Sequence, residues 1–319
     1  MDDTKKIKKE EQKKSKNLHK PPFVLSIFQF IFKNLGPIFP SLIGRWAYQL
    51  WFKTYRTARP RREEKWLRSA TKIEAIDIHL DASNKALNIY NKASNINPLP
   101  VMTYYWQNEN EADAPLVMLV HGWTGRGSQM GAFAGPLLSA GFRVLAFDNH
   151  AHDLTPGKAT SLFIQSEVQQ KLSEKFGPVY AVVTHSFGGM VTPYSLSHGM
   201  KAQKVVCISP PSRFDYLLER FSNTLYLPEI IQHYMVRRFK KEFGDDLVER
   251  VSATTTSKQL GHIPALIIHD ENDVDVPASE GECLHQAWPQ STLNYTRGLG
   301  HRAILYDADV IRMTVAFLK

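Results

Sequence analysis

Val182-Val183-Thr184-His185-Ser186-Phe187-Gly188-Gly189 is an apolar run that stops at a serine and meets paired glycines two residues later. Such wording suits a sharp strand-to-helix turn that lifts the serine side chain above the edge of a sheet. Small neighbours are needed there because the strand and helix backbones pass very close to one another. Ser186 is therefore a candidate nucleophile. Buried strands that end in Ser and Gly are also common, so the octapeptide gains its weight from what surrounds it.

Upstream, the short apolar run Leu116-Val117-Met118-Leu119-Val120 ends in His121-Gly122-Trp123-Thr124-Gly125. Downstream, Ala265-Leu266-Ile267-Ile268-His269 runs into Asp270-Glu271-Asn272-Asp273-Val274-Asp275-Val276-Pro277, and Gly298-Leu299-Gly300-His301 follows nearer the C-terminus. The chain order is a glycine-containing loop, then Ser, Asp and His. With these motifs in this order the sequence resembles the α/β-hydrolase superfamily from about residue 73 to 319. The resemblance implies a mostly parallel eight-stranded sheet flanked by helices, with a helical cap. It also implies Ser186 as nucleophile, Asp273 as acid, His301 as base, and the backbone N–H groups of Trp123 and Phe187 as oxyanion donors. In the motif the acid stands four residues before a proline, as Asp273 stands before Pro277. Asp270 and Asp275 are the alternatives in the same loop.

The residue types answer to one chemistry. A serine hydroxyl is a weak nucleophile at neutral pH, so a histidine must take its proton during attack and return it to the leaving group. An acid fixes the imidazole tautomer and stabilises the imidazolium, and two aimed donors stabilise the tetrahedral oxyanion. A carboxylic ester of small or medium size is the expected substrate, cleaved through an acyl-enzyme without a cofactor. A thioester, a peptide bond, or a non-catalytic binding role on the same fold are the alternatives.

Three positions depart from the family pattern. Thr184 takes the place of the elbow's usual glycine and needs room beneath the turn. Ala151 and Asp153 replace glycines that commonly flank the histidine after strand four. Pro193 falls inside the helix expected after the serine, where it should kink or shorten it. His121, His185 and His269 read as structural. His150 and His152 lie beside Asp148 and Asp153 at a spacing that permits metal ligation. No second ligand cluster accompanies them, so no metal is expected.

From Ile73 onward strands alternate with helices, with strands near 76–80, 101–106, 116–120, 143–148, 179–183, 204–209, 265–269 and 292–296. Residues 73–210 and 263–319 form the expected core, and 211–262, where no strand is evident, the expected helical cap insertion. Phe214, Leu217, Leu218 and Phe221 recur there at helical spacing, and Tyr234, Val236, Phe239 and Phe243 more loosely; most should fasten the cap to the body.

Charge is distributed unevenly. The chain has 39 Lys+Arg and 31 Asp+Glu, of which residues 1–72 hold 18 and 6, leaving the remainder slightly acidic. Nucleic acid is therefore not an expected partner of the hydrolase body. Residues 1–22 read as a basic disordered tail. Residues 23–72 read as an aromatic-rich helical arm, packed on the body or, alternatively, making peripheral membrane contact. The arm's apolar run is too short to span a bilayer, and no cleavage site follows it. Two cysteines, Cys207 and Cys283, suit a reducing, cytoplasmic setting. The sequence is silent on oligomeric state.

Overall fold

The computed structural model describes residues 23–81, 97–109 and 113–319. The basic tail expected over residues 1–22 lies outside the described residues. Eight strands build one sheet: β1 (Lys72–Ile78), β2 (Leu99–Trp106), β3 (Leu116–Val120), β4 (Arg143–Phe147), β5 (Val179–His185), β6 (Lys204–Ile208), β7 (Ala265–Asp270) and β8 (Ser291–Thr296). Their spatial order is β1-β2-β4-β3-β5-β6-β7-β8. β1 pairs antiparallel with β2 and β2 antiparallel with β4, and every other pairing is parallel. All eight expected strands are present, shifted at their ends by a few residues at most.

Burial follows position in the sheet. Every residue of β3 and β7 is buried, as central parallel strands covered on both faces require. β8, at the edge, has no buried residue. Alternate residues of the central strands, Val117 and Leu119, Val144 and Ala146, Ala181 and Val183, Val206 and Ile208, join one apolar cluster. That period of two is the pleat itself. Met130, Phe133 and Leu137 from the β3–β4 connection and Val310 and Leu318 from the C-terminal helix Ala308–Leu318 complete this layer.

The helix after β5 runs Gly188–Ser197 without stopping at Pro193. The proline removes one donor from this helix but does not end it, so of the two expected effects, a kink or a shortening, the shortening does not occur at Pro193. Four helices, Phe214–Leu225, Glu229–Phe243, Leu247–Val251 and Ala253–Thr256, fill the connection from β6 to β7.

The chain divides into two compact units: residues up to Tyr48 with Glu219–Arg238, and Gln49–Leu218 with Phe239–Lys319. The larger unit holds the sheet. In it the rings of Trp51, Phe214 and Phe239 lie 5.4 to 5.5 Å apart, Phe52 lies 6.0 Å from Phe239, and Phe163 stacks on Phe243 at 5.2 Å. These aromatics fasten part of the β6–β7 helices to the sheet-bearing unit, with edge and tilted contacts that add to simple area burial.

In the smaller unit, helix Phe23–Leu35 and the following helix, which begins at Pro40, pack through Phe32, whose ring lies 5.1 Å from Trp46. Gln29 donates to the Thr224 carbonyl at 2.9 Å. Gly44 lies against Tyr234 so closely that a Cβ there would stand 2.6 Å from the ring. Gly44→Val should therefore lower stability by about 1–3 kcal/mol through overpacking, read as a fall in the urea midpoint, whereas Gly135→Ala, with open space at its Cβ position, should not.

Candidate active site

β5 ends at His185, and the next residue turns left-handed: Ser186 has φ +52°. For a non-glycine residue this conformation costs about 1–2 kcal/mol, and it persists because its surroundings fix it. The Ser186 amide donates to the Ile208 carbonyl at 2.9 Å and the Gly189 amide to the Ser186 carbonyl at 2.8 Å. Gly122 runs beside the serine, so that a Cβ there would lie 2.7 Å from Ser186 Cβ. A Cβ on Gly188 would lie 2.9 Å from the Val120 carbonyl. The glycines of both motifs are thus steric requirements. A Cβ on Gly189 would lie 2.7 Å from Pro210 Cβ, and Thr184, buried beneath the turn, donates its hydroxyl to the Val206 carbonyl at 3.1 Å.

Three distant positions converge here. His301 Nε2 lies 2.9 Å from Ser186 Oγ, and His301 Nδ1 lies 2.7 Å from Asp273 Oδ2. The Asp273 carboxylate is buried and its Oδ1 accepts from the amides of Asp275 at 2.8 Å and Val276 at 2.9 Å. Burial works to raise its pKa, but the hydrogen bonds from His301, Val276 and Asp275 outweigh it and hold the carboxyl below its ordinary value. Asp270 does not reach the histidine. It accepts from Thr296 Oγ1, Leu299 N and Asn272 N, tying the end of β7 to the loop that carries His301. No hydrogen bond from His301 reaches Asp275, whose amide serves Asp273 instead.

The expected oxyanion donors sit on the two motif loops. The amides of Trp123 and Phe187 donate to no protein acceptor among the described residues, and their side chains meet edge-to-face at 5.2 Å. The loop that carries Trp123 is clamped by two imidazoles. His121 Nε2 accepts from the Asn149 amide at 2.9 Å, which places its proton on Nδ1, facing the Gly122 carbonyl. His152 Nε2 accepts from the Thr124 amide at 3.0 Å, and its Nδ1 faces the His150 carbonyl. Burial lowers the pKa of His121 and brings those of His150 and His152 to about 4, so all three act as neutral rings. Ala151 and Asp153 nonetheless keep the left-handed backbone that glycines would favour, with φ +64° and +36°. Asp148 accepts from Gly127 N and Tyr104 Oη, and Asp153 pairs with Arg59. No group of three His, Cys, Asp or Glu suited to a metal converges among the described residues.

Two other histidines support the triplet. His185, with a pKa driven to about 3 chiefly by burial, donates from Nε2 to the His301 carbonyl at 2.8 Å, and the two rings lie 4.7 Å apart. His269 donates from Nε2 to the Val276 carbonyl at 2.9 Å, in the loop that holds Asp273. The most consequential group invisible in the sequence is a buried ion pair. Arg126, three residues after Trp123, meets Glu63 at 2.7 Å, with both side chains at most 4 % exposed. Glu63 also accepts from Ser128 Oγ at 2.6 Å, and Arg126 donates to Thr57 O and Thr57 Oγ1. The partners are 63 residues apart, and no local pattern links them.

Residues 117–312, more than half of the chain, match the Alpha/beta hydrolase family. The chain belongs to that family. An esterase from Pyrococcus furiosus superposes with a TM-score of 0.58 at 18 % identity, over 84 % of this chain and 96 % of the other. Est1E from Butyrivibrio proteoclasticus gives 0.56 at 15 % identity, over 77 % and 96 %. The proline iminopeptidase of Xylella fastidiosa is 33 % identical over 79 residues, which span 25 % of this chain and only 23 % of that protein. At these identities the superpositions establish the hydrolase fold alone. Within it, the eight-stranded sheet carries Ser186 at the carboxyl end of β5, beside the central strands β3 and β6, where open α/β sheets hold their ligands.

Two expectations follow for the hydrolase. Removing one member of a buried ion pair leaves the other charge uncompensated, so Glu63→Gln should destabilise the protein by about 3–5 kcal/mol in urea unfolding. The second concerns acid. Because the Asp273 pKa is depressed, its contribution to stability is present above the ordinary carboxylate value of about 4 and disappears as the pH falls through the folded value. The melting temperature of the wild type should fall more steeply below about pH 4 than that of Asp273→Asn. Parallel profiles would mean that the carboxylate is not held in its charged form.

Proposed function

We propose that this chain is a serine hydrolase that cleaves a small or medium carboxylic ester through an acyl-enzyme. The observation that carries the reading is the continuous hydrogen-bonded chain from Asp273 through His301 to Ser186 at a left-handed elbow. In the proposed reaction Ser186 Oγ attacks the carbonyl carbon while its proton passes to His301 Nε2. The oxyanion that forms lies against the amides of Trp123 and Phe187. Collapse expels the alkoxide, which takes the proton from His301, and leaves an ester on Ser186. Water then repeats the sequence, with His301 again as base, and releases the carboxylic acid. Asp273 stays ionised throughout and keeps the imidazole proton on Nδ1. The reaction balances without a cofactor.

The helices between β6 and β7 are the proposed cap, with one or two of their aromatics lining the substrate site. A cytoplasmic setting fits two free cysteines, Cys207 buried and Cys283 half-buried. No helix among the described residues is long and apolar enough to cross a membrane. The local likeness to a proline iminopeptidase favours peptide-bond hydrolysis as the second reading.

A p-nitrophenyl ester series, run beside aminoacyl p-nitroanilides, separates the two substrates. The ester reading requires turnover of at least one ester and a clear preference over the anilides. A fluorophosphonate probe should place its adduct on Ser186, and Ser186→Ala should lower turnover by about ten-thousand-fold or more. Asp273→Asn should cost far more than Asp275→Asn. An inert Ser186 would leave a binding protein on the hydrolase fold.

A further inference from the structure

The N-terminal helices show two faces of opposite character. Phe32, Ile43, Ala47 and Tyr48 are buried. Phe23, Ile27 and Phe30 recur at i, i+4 and i+7 on the first helix, which gives one stripe, and that stripe is in water: Phe23 is 80 % and Phe30 67 % exposed. Ile38 and Phe39 in the following turn are exposed as well, as is Leu42, 68 % exposed, at the start of the next helix. Isolated exposed apolar residues are ordinary, whereas a run of this kind marks a surface built to be covered.

Charge identifies what covers it. Residues 12–62 contain eleven Lys and Arg and not one Asp or Glu. Lys33 and Arg45 are exposed on the same two helices. The first helix has 13 residues, about 20 Å of rise, well short of the roughly 30 Å of a bilayer's hydrocarbon core. Its geometry suits lying along an interface, with apolar side chains in the acyl boundary and cations among the headgroups. A second copy of this chain is a poorer occupant, because pairing two such faces brings together two acid-free cationic segments.

We propose that residues 23–48 form an interfacial docking surface for an anionic lipid bilayer, in which Phe23, Ile27, Phe30, Ile38, Phe39 and Leu42 enter the membrane and Lys33 and Arg45 meet lipid phosphates. Apolar insertion and basic attraction together supply the two signals that stable peripheral binding needs. Each cation near an anionic surface raises partitioning by about fivefold at physiological ionic strength, and added salt weakens it. This surface is independent of the chemistry proposed for Ser186.

The test uses the full chain with two kinds of vesicle, phosphatidylcholine alone and phosphatidylcholine with roughly one third phosphatidylserine. Sedimentation with the anionic vesicles, at least about tenfold above the neutral ones and reduced by salt, is the expected result. The variant Phe30→Ser/Phe39→Ser/Leu42→Ser should keep the wild-type melting temperature and lose about tenfold in anionic binding. Wild-type protein that sediments with neither vesicle, or equally with both, overturns the proposal whatever the variant does. A triple variant that turns a wild-type oligomer into a monomer while vesicle binding is unchanged also overturns it, in favour of a self-association face. Should the triple variant misfold, Lys33→Glu/Arg45→Glu takes its place: undiminished anionic binding by that folded pair would equally refute the surface.

Discussion

The structure depends on one close approach. Gly122, at the end of one loop, passes so near Ser186 that no side chain fits between them, and Ser186 itself holds a left-handed backbone. A turn this tight places Ser186 just past the carboxyl end of β5, with the Gly122 backbone beside it. The strain is small beside the burial of the central strands, whose residues are almost wholly removed from water. A rigid sheet can therefore hold a conformation that an isolated peptide would abandon.

Around that turn the protein uses neutral imidazoles as structural parts. His121, His152, His185 and His269 each satisfy a backbone group in or beside the loops of the site. Burial lowers the pKa of each, so each serves as a neutral ring. Among the described histidines, His301 alone combines partial exposure with both a carboxylate and a hydroxyl partner. Five histidines near one another thus separate cleanly by environment, although residue type alone would not distinguish them.

The Arg126–Glu63 pair joins a segment ahead of the sheet to the loop that bears Trp123. Buried ion pairs bring little net stability against an apolar replacement, but they are geometrically demanding, since a guanidinium in low dielectric accepts few arrangements. Here Arg126 meets Glu63 and Thr57 together, which fixes the loop by several directed bonds. The family match begins at residue 117, so this support comes from outside the matched region.

The strand series, the turn at Ser186 and the chain order of Ser186, Asp273 and His301 were legible before folding, because apolar runs, turn glycines and motif spacing are local properties of the chain. The sequence also carried the uneven charge of the N-terminal region. It pointed to Asp273 ahead of Asp270 and Asp275, but the partners of each carboxylate appear only in the folded loop: Asp270 accepts from Thr296 on the neighbouring strand, while Asp273 Oδ2 lies 2.7 Å from His301 Nδ1. The uninterrupted helix at Pro193, the hydrogen bond that seats Thr184 against Val206, the left-handed Ala151 and Asp153, and the Glu63–Arg126 pair were likewise decided in three dimensions. Each depends on atoms brought together from distant or opposed segments, and the distance between two side chains in space is a property of the packed chain that no local pattern encodes.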